Sequence, residues 1–301
     1  MTTNQITNLA LCNSPSSSPS KLLNGKTVLV TRASGQSSTF KELLTYHSAN
    51  VIEMPTIEIC PPTNWEGLDN AIAQLENIDW LILTSSNAVE YFLQRLVTQE
   101  KDTRSLASLK IAVVGEKTAK ILQKYCLISD FIPPNFIADS LVVNFPEEVK
   151  GKKILFPRVE SGGREVLVKE FTKKGAEVIE VAAYQSCCPE NIPPSAEIAL
   201  QGGNIDVITF ASSKTVKFFY ELAQKIFTDS SGHRSDNFAD NDSENHSPSF
   251  LEGFLEEVCI ASIGPQTSET CKSLLGRVDL EASEHTLDGL TQALVNQFSK
   301  H

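Results

Sequence analysis

The sequence predicts an α/β protein built from two similar parallel-sheet lobes. Three observations lead there. Short apolar runs without polar alternation are separated by amphipathic helical patterns, which is the signature of buried parallel strands. The chain repeats itself. Its 301 residues correspond to about two domains.

The strand series starts with KTVLVTR (26–32), followed by the helical TFKELLTYHS (39–48) and the strand NVIEMP (50–55). WLILTS (80–85), KIAVVG (110–115), KILFPR (153–158), EVIEVAAYQ (177–185), DVITFAS (206–212) and VCIASIG (258–264) continue it. The first, second, fifth and sixth of these six run directly into helical patterns.

The repeat is ordered. GKTVLVTR at 25–32 matches GKKILFPR at 151–158. NVIEMP matches EVIEVA, with Glu53 against Glu180. DWLILTSSNAVEYF at 79–92 matches DVITFASSKTVKFF at 206–219. These pairs lie 126 or 127 residues apart. IAVVGEKTAK from Ile111 matches IASIGPQTSE from Ile260, and Asp139 matches Asp288, now 149 apart. The jump of 22 is taken up by a polar, acidic insert at 228–249, expected to be a disordered loop. Five matches in one order indicate internal duplication. Residues 1–24 contain SPSSSPS and lack the apolar core of a secretory signal, so a disordered tail is expected there.

Composition excludes several functions. A net charge of −11 argues against a general nucleic-acid or membrane-surface role, which needs a basic field. No apolar run approaches the length of a membrane-spanning helix. Seven cysteines at no zinc spacing suggest reduced structural thiols, and the five histidines give no metal-ligand pattern. No G-x-G-x-x-G or phosphate-loop motif follows a strand, so neither a nicotinamide nor a nucleotide is expected, and no cofactor.

Four strand-to-helix corners carry hydroxyls in matched pairs. They are 84–87 (TSSN) with 212–215 (SSKT), and 115–118 (GEKT) with 264–267 (GPQT). Helix N-termini offer free N–H groups and partial positive charge. Ser and Thr cap helices in every protein, so one such corner says little. Four in repeated pairs point to an anion-binding cleft at the carboxyl ends of parallel strands. The candidates there are Ser85, Ser86, Thr118, Ser212, Ser213 and Thr267. Arg32 and Arg158 end matched strands, and Arg158 precedes a glycine turn at Gly162. Arginine suits carboxylates, although a surface ion pair fits Arg32 as well. Tyr184 stands where the other copy has Ile57. A core tyrosine and a proton donor fit that position equally.

The ordered set VLVTR, LILTSSNAVEYF, IAVVGEKTA, ILFPRVESGGRE, VAAYQ, VITFASSKTV, IASIGPQTSE and HTLDGL resembles the uroporphyrinogen-III synthase family, from Gly25 to about Phe298. The resemblance implies two α/β lobes joined by two extended connectors, PTIEICPP (55–62) and AAYQSCCP (182–189), with a cleft between them. One lobe would hold 25–54 with 187–301, the other 55–186. The implied substrate is hydroxymethylbilane, a linear tetrapyrrole with eight carboxylates. Its ring closes with the last pyrrole inverted, through a spiro intermediate and with loss of water, so the enzyme would be a cyclising hydro-lyase of haem, chlorophyll and cobalamin biosynthesis. By match to the family, Tyr184 is the weak acid, and Thr118, Thr267 and Ser212 line the cleft, with Ser85 the counterpart of Ser212 by the repeat. The resemblance also implies a cytoplasmic monomer in transient contact with hydroxymethylbilane synthase. A non-catalytic two-lobed binder of an anionic small molecule would share the cleft but not the turnover.

Overall fold

In a computed structural model, the described residues are 22–33, 35, 37–135, 138–162, 165–229 and 253–299. Most of the expected tail (1–21) and of the expected loop (230–249) lies outside them. The tail reading fails at its end. Leu23 is 1% exposed, packs with Phe40, Leu44 and Leu294, and donates its N–H to His47 O. Its apolar side chain fills a core position, which a solvated tail would not.

The chain forms two compact units, Met1–Ile57 with Cys188–His301, and Glu58–Cys187. The first contains strands β1 (Thr27–Val30), β2 (Asn50–Glu53), β8 (Val207–Phe210), β9 (Cys259–Ser262) and β10 (Leu280–Glu281). They form a wholly parallel sheet in the order β10-β9-β8-β1-β2. Its helices are α1 (Ser38–Tyr46), α7 (Pro194–Gln201), α8 (Ser213–Asp229), α9 (Pro265–Leu275) and α10 (Leu287–Phe298). Helix α8 takes in the first two residues of the expected loop.

The second unit contains β3 (Glu58–Cys60), β4 (Trp80–Leu83), β5 (Lys110–Val113), β6 (Lys153–Val159) and β7 (Glu177–Cys187). The order is β3-β7-β6-β4-β5, parallel except for β3 against the far end of β7. Its helices are α2 (Glu66–Ala73), α3 (Ser86–Thr98), α4 (Glu116–Gln123), α5 (Ala138–Val143) and α6 (Glu165–Lys173). Both sheets carry helices on both faces, because alternate strand residues feed two cores. Leu81 and Leu83 join α2, α3 and α4, while Trp80 and Ile82 join α5 and α6. In the first unit Ile208 and Phe210 face α7, α8 and α9, while Val207 faces α1 and α10.

The repeat governs the topology. Under it β1 corresponds to β6, β2 to β7, β8 to β4 and β9 to β5. Even the weak edge matches, since Phe131 bridges Ala112 in parallel as Leu280 pairs with Ala261. Each unit therefore joins the first two strands of one copy to the later strands of the other. Aspartates tie these halves together. Asp206 accepts from Thr27 N–H at 2.7 Å and Lys26 Nζ at 2.9 Å. Asp79 accepts from Lys153 N–H at 2.9 Å and Lys152 Nζ at 2.8 Å. Within each copy, Asp130 and Asp279 accept from Ile111 and Ile260 N–H, both at 2.8 Å.

Candidate active site

The second unit brings two sequence candidates into contact. Ser85 follows β4 in an extended conformation (φ −149°, ψ 159°) and caps α3. Its Oγ accepts Ala88 N–H at 3.1 Å and lies 3.1 Å from Tyr184 Oη. Tyr184 reaches it through a local irregularity. Strands β6 and β7 stay in register to Arg158 opposite Ala182, and then Val159 pairs with Tyr184. Ala183 is the extra residue of a bulge, and bulges re-aim side chains. Strict alternation would send Tyr184 to the face opposite Ala183. Instead Val181, Ala183 and Tyr184 all pack in the cluster that includes α3. Tyr184 as a residue keeps 9% exposure. The Tyr91 ring lies 5.9 Å from it, tilted by 33°, and Tyr91 Oη is fixed on Ile59 O at 2.9 Å. The core-tyrosine and hydrogen-bonding readings thus both describe this residue.

The other candidates of this unit surround the same strand ends. Ser86 is the first residue of α3. Thr118 sits in the first turn of α4 and is 6% exposed. Arg158 forms an ion pair with Glu180 of the neighbouring strand and donates Nη1–H to Gly162 O at 2.6 Å. It braces a turn in which Gly162 has φ +75°, a conformation that favours glycine.

The first unit holds a cavity of about 460 Å³ where α8 and α9 begin. Ser212, Ser213, Lys214, Gly264, Thr267 and His285 are among its lining residues. Ser212 Oγ accepts Thr215 N–H at 3.3 Å, and Thr215 Oγ1 donates back to Ser212 O at 2.6 Å. Ser213 Oγ donates to Gln266 O at 3.0 Å, tying the two helix starts together. Thr267, 5% exposed, repeats the place of Thr118. Arg32 lies half-buried beyond the end of β1, where desolvation lowers its pKa from the ordinary guanidinium value. It stays charged at neutral pH.

Sequence reasoning missed His285. Its Nδ1 meets Ile263 O at 3.1 Å, and the ring packs so closely on Gly264 that a Cβ there would lie 2.8 Å from Nδ1. Glycine at 264 admits the imidazole to the cavity rim. The only sequence signal was its position directly before Thr286, which caps α10. Among the described residues no group of three or more His, Cys, Asp or Glu could hold a metal ion, and no helix is long and apolar enough to cross a membrane.

The chain has counterparts among known proteins. Residues 38–292 match the model of the family described as uroporphyrinogen-III synthase HemD. The chain is 49% identical over 273 residues to a uroporphyrinogen-III synthase of Synechococcus elongatus, covering 90% of this chain and 95% of that one. It is 31% identical to one of Chlorobaculum parvum, over 68% of this chain and 82% of the relative. The crystal structure of the uroporphyrinogen-III synthetase from Helicobacter pylori shares its fold, with a TM-score of 0.50, 14% identity, and coverage of 90% of this chain and 99% of that one.

Proposed function

The chain belongs to the uroporphyrinogen-III synthase family, and from that membership we propose that it cyclises hydroxymethylbilane to uroporphyrinogen III, with inversion of the last pyrrole ring. The terminal hydroxyl leaves as water, which makes the enzyme a cyclising hydro-lyase of tetrapyrrole biosynthesis. The non-catalytic binder is disfavoured by the family membership.

The substrate is reactive and closes to the wrong isomer without help, so most of the catalytic work is positioning. Each unit offers hydroxylated helix starts that suit carboxylates through N–H groups and partial positive charge. In the first unit these are the corners of Ser212, Ser213 and Thr267, with Arg32 at the neighbouring strand end. In the second they are those of Ser85, Ser86 and Thr118, with the Arg158–Gly162 turn beside them. Tyr184 donates a proton to the departing hydroxyl. The protein acts in the cytoplasm as a monomer and receives its substrate in transient contact with hydroxymethylbilane synthase.

The single observation that carries the chemistry is the 3.1 Å approach of Tyr184 Oη to Ser85 Oγ at the start of α3. Tyr184→Phe removes only a hydroxyl, so its expected structural cost is about 1 kcal/mol. Turnover falls by roughly 10²-fold, the lower end for a general acid, because the leaving group departs readily. Full-rate turnover by a folded Tyr184→Phe enzyme, or loss of folding at normal activity per folded molecule, would remove Tyr184 from the chemistry.

A further inference from the structure

We propose that Ser85 is a positioning residue that directs the proton of Tyr184. The proposal rests on Tyr184 acting as the acid, and it concerns how that acid is aimed.

A serine hydroxyl has one proton and two lone pairs. One lone pair of Ser85 is taken by Ala88 N–H. Ser85 keeps its own proton for one further bond, and Tyr184 Oη lies within reach. Were Tyr184 the donor in this contact, its proton would be spent inside the protein. With Ser85 as donor, the Tyr184 proton is free to point at the substrate hydroxyl. As that proton leaves, negative charge grows on the phenol oxygen. The Ser85 O–H then holds a stronger bond to a charged acceptor. The thirteen-residue helix α3, which Ser85 caps, places its positive end beside the same oxygen. When the hydroxyl has left as water, the phenol oxygen regains a proton from solvent, and the pair is restored.

Three features show that the contact is built rather than incidental. The bulge at Ala183 turns Tyr184 onto the face of α3. The Tyr91 ring, itself anchored on Ile59 O, packs against Tyr184. The repeated corner makes the third point. Ser212 caps α8 as Ser85 caps α3, yet the residue matching Tyr184 in that unit is Ile57. Capping needs only the serine, so the phenol was placed on one corner for another purpose.

The test is a kinetic cycle with substrate generated in place and isomers resolved. Ser85→Gly keeps a competent cap but no hydroxyl, and Ser85→Asp caps but has no proton to donate at neutral pH. Both should lower kcat about tenfold, the loss expected of one hydrogen bond to a charged group, with KM within about twofold for Ser85→Gly and raised for Ser85→Asp by its added charge at a carboxylate-binding corner. Ser85→Thr, which restores the hydroxyl, should recover most of the rate. In a Tyr184→Phe background, Ser85→Gly should change kcat by less than about twofold. A rise in KM at constant kcat would make Ser85 a substrate ligand and overturn the proposal. Equal losses with and without the phenol would overturn it too. If Tyr184→Phe alone turns over at full rate, the acid assignment itself has failed. If it is slow and Ser85→Gly and Ser85→Asp are not, only the present inference falls. Should Ser85→Gly fail to fold, the Ser85→Asp and Ser85→Thr pair decides alone.

Discussion

Phe92→Ala tests whether the repeat was read at the correct register. Phe92 closes the segment 79–92, faces the core from α3 and has 0% exposure. Truncation to alanine exposes or empties about 150 Å² of apolar contact. At about 25 cal/mol per Å² this costs about 4 kcal/mol, within the range found for buried phenylalanines. Leu81, Leu83 and Leu155 line the same cluster on a sheet that cannot shift toward one helix alone, so relaxation recovers little. The chain has two tryptophans, Trp65 and Trp80, and both lie in the second unit. Tryptophan fluorescence during urea unfolding therefore reports on the unit that was altered. With a slope of about 2 kcal/mol per molar, the midpoint should fall by about 2 M. Phe219→Ala makes the matched change in the first unit, at another 0% exposed ring, and is followed by circular dichroism. A fluorescence midpoint lowered by less than about 0.5 M in Phe92→Ala would refute the reasoning, since no fully buried ring could be lost so lightly.

Three further outcomes follow from the geometry. The Lys152 ammonium and the Lys153 N–H hold the Asp79 carboxyl below its usual pKa. The unfolded chain takes up the proton first on acidification, so this stabilisation is present above pH about 4 and lost as pH falls through the lowered folded value. The stability gap between wild type and Asp79→Asn should be full at pH 7 and shrink as pH falls below about 4; a gap independent of pH would contradict the account. Burial pushes the thiols of Cys60 and Cys271 up to about 12 and that of Cys259 to about 11, with Cys187 adding to the effect on Cys60. Iodoacetamide at pH 8 should label exposed Cys126 well before these three, as read by peptide mass mapping. Gly264→Ala, whose Cβ would lie 2.8 Å from His285 Nδ1, should cost about 1–3 kcal/mol in thermal unfolding, and adding His285→Ala should recover most of that loss; additive losses would contradict the close packing.

Much of the fold was legible because buried parallel strands advertise themselves. All four residues of β4 and all four of β8 are buried, so WLIL and VITF carry no polar alternation to obscure them. Asp79 and Asp206 stood in the quoted repeat, but their role was invisible because their partners come from strands more than 70 residues away. The same distance hid the site. Ser85 and Tyr184 were chosen separately, one as a ligand contact and one as an acid, and their contact depends on a bulge that no periodicity reveals. Arg158 looked free to bind carboxylate until the β6–β7 pairing brought Glu180 beside it. His285 has no counterpart in the first copy, and its access to the cavity rim depends on Gly264 in another strand-helix corner.

The measurement that bears most directly on the central claim is an isomer assay of the unaltered protein. Hydroxymethylbilane would be generated in place, with and without the chain, and the oxidised products separated. The account predicts a shift from the type I to the type III isomer in proportion to the protein added. An unchanged yield of type I would contradict it, and would leave a two-unit anion binder in place of a synthase.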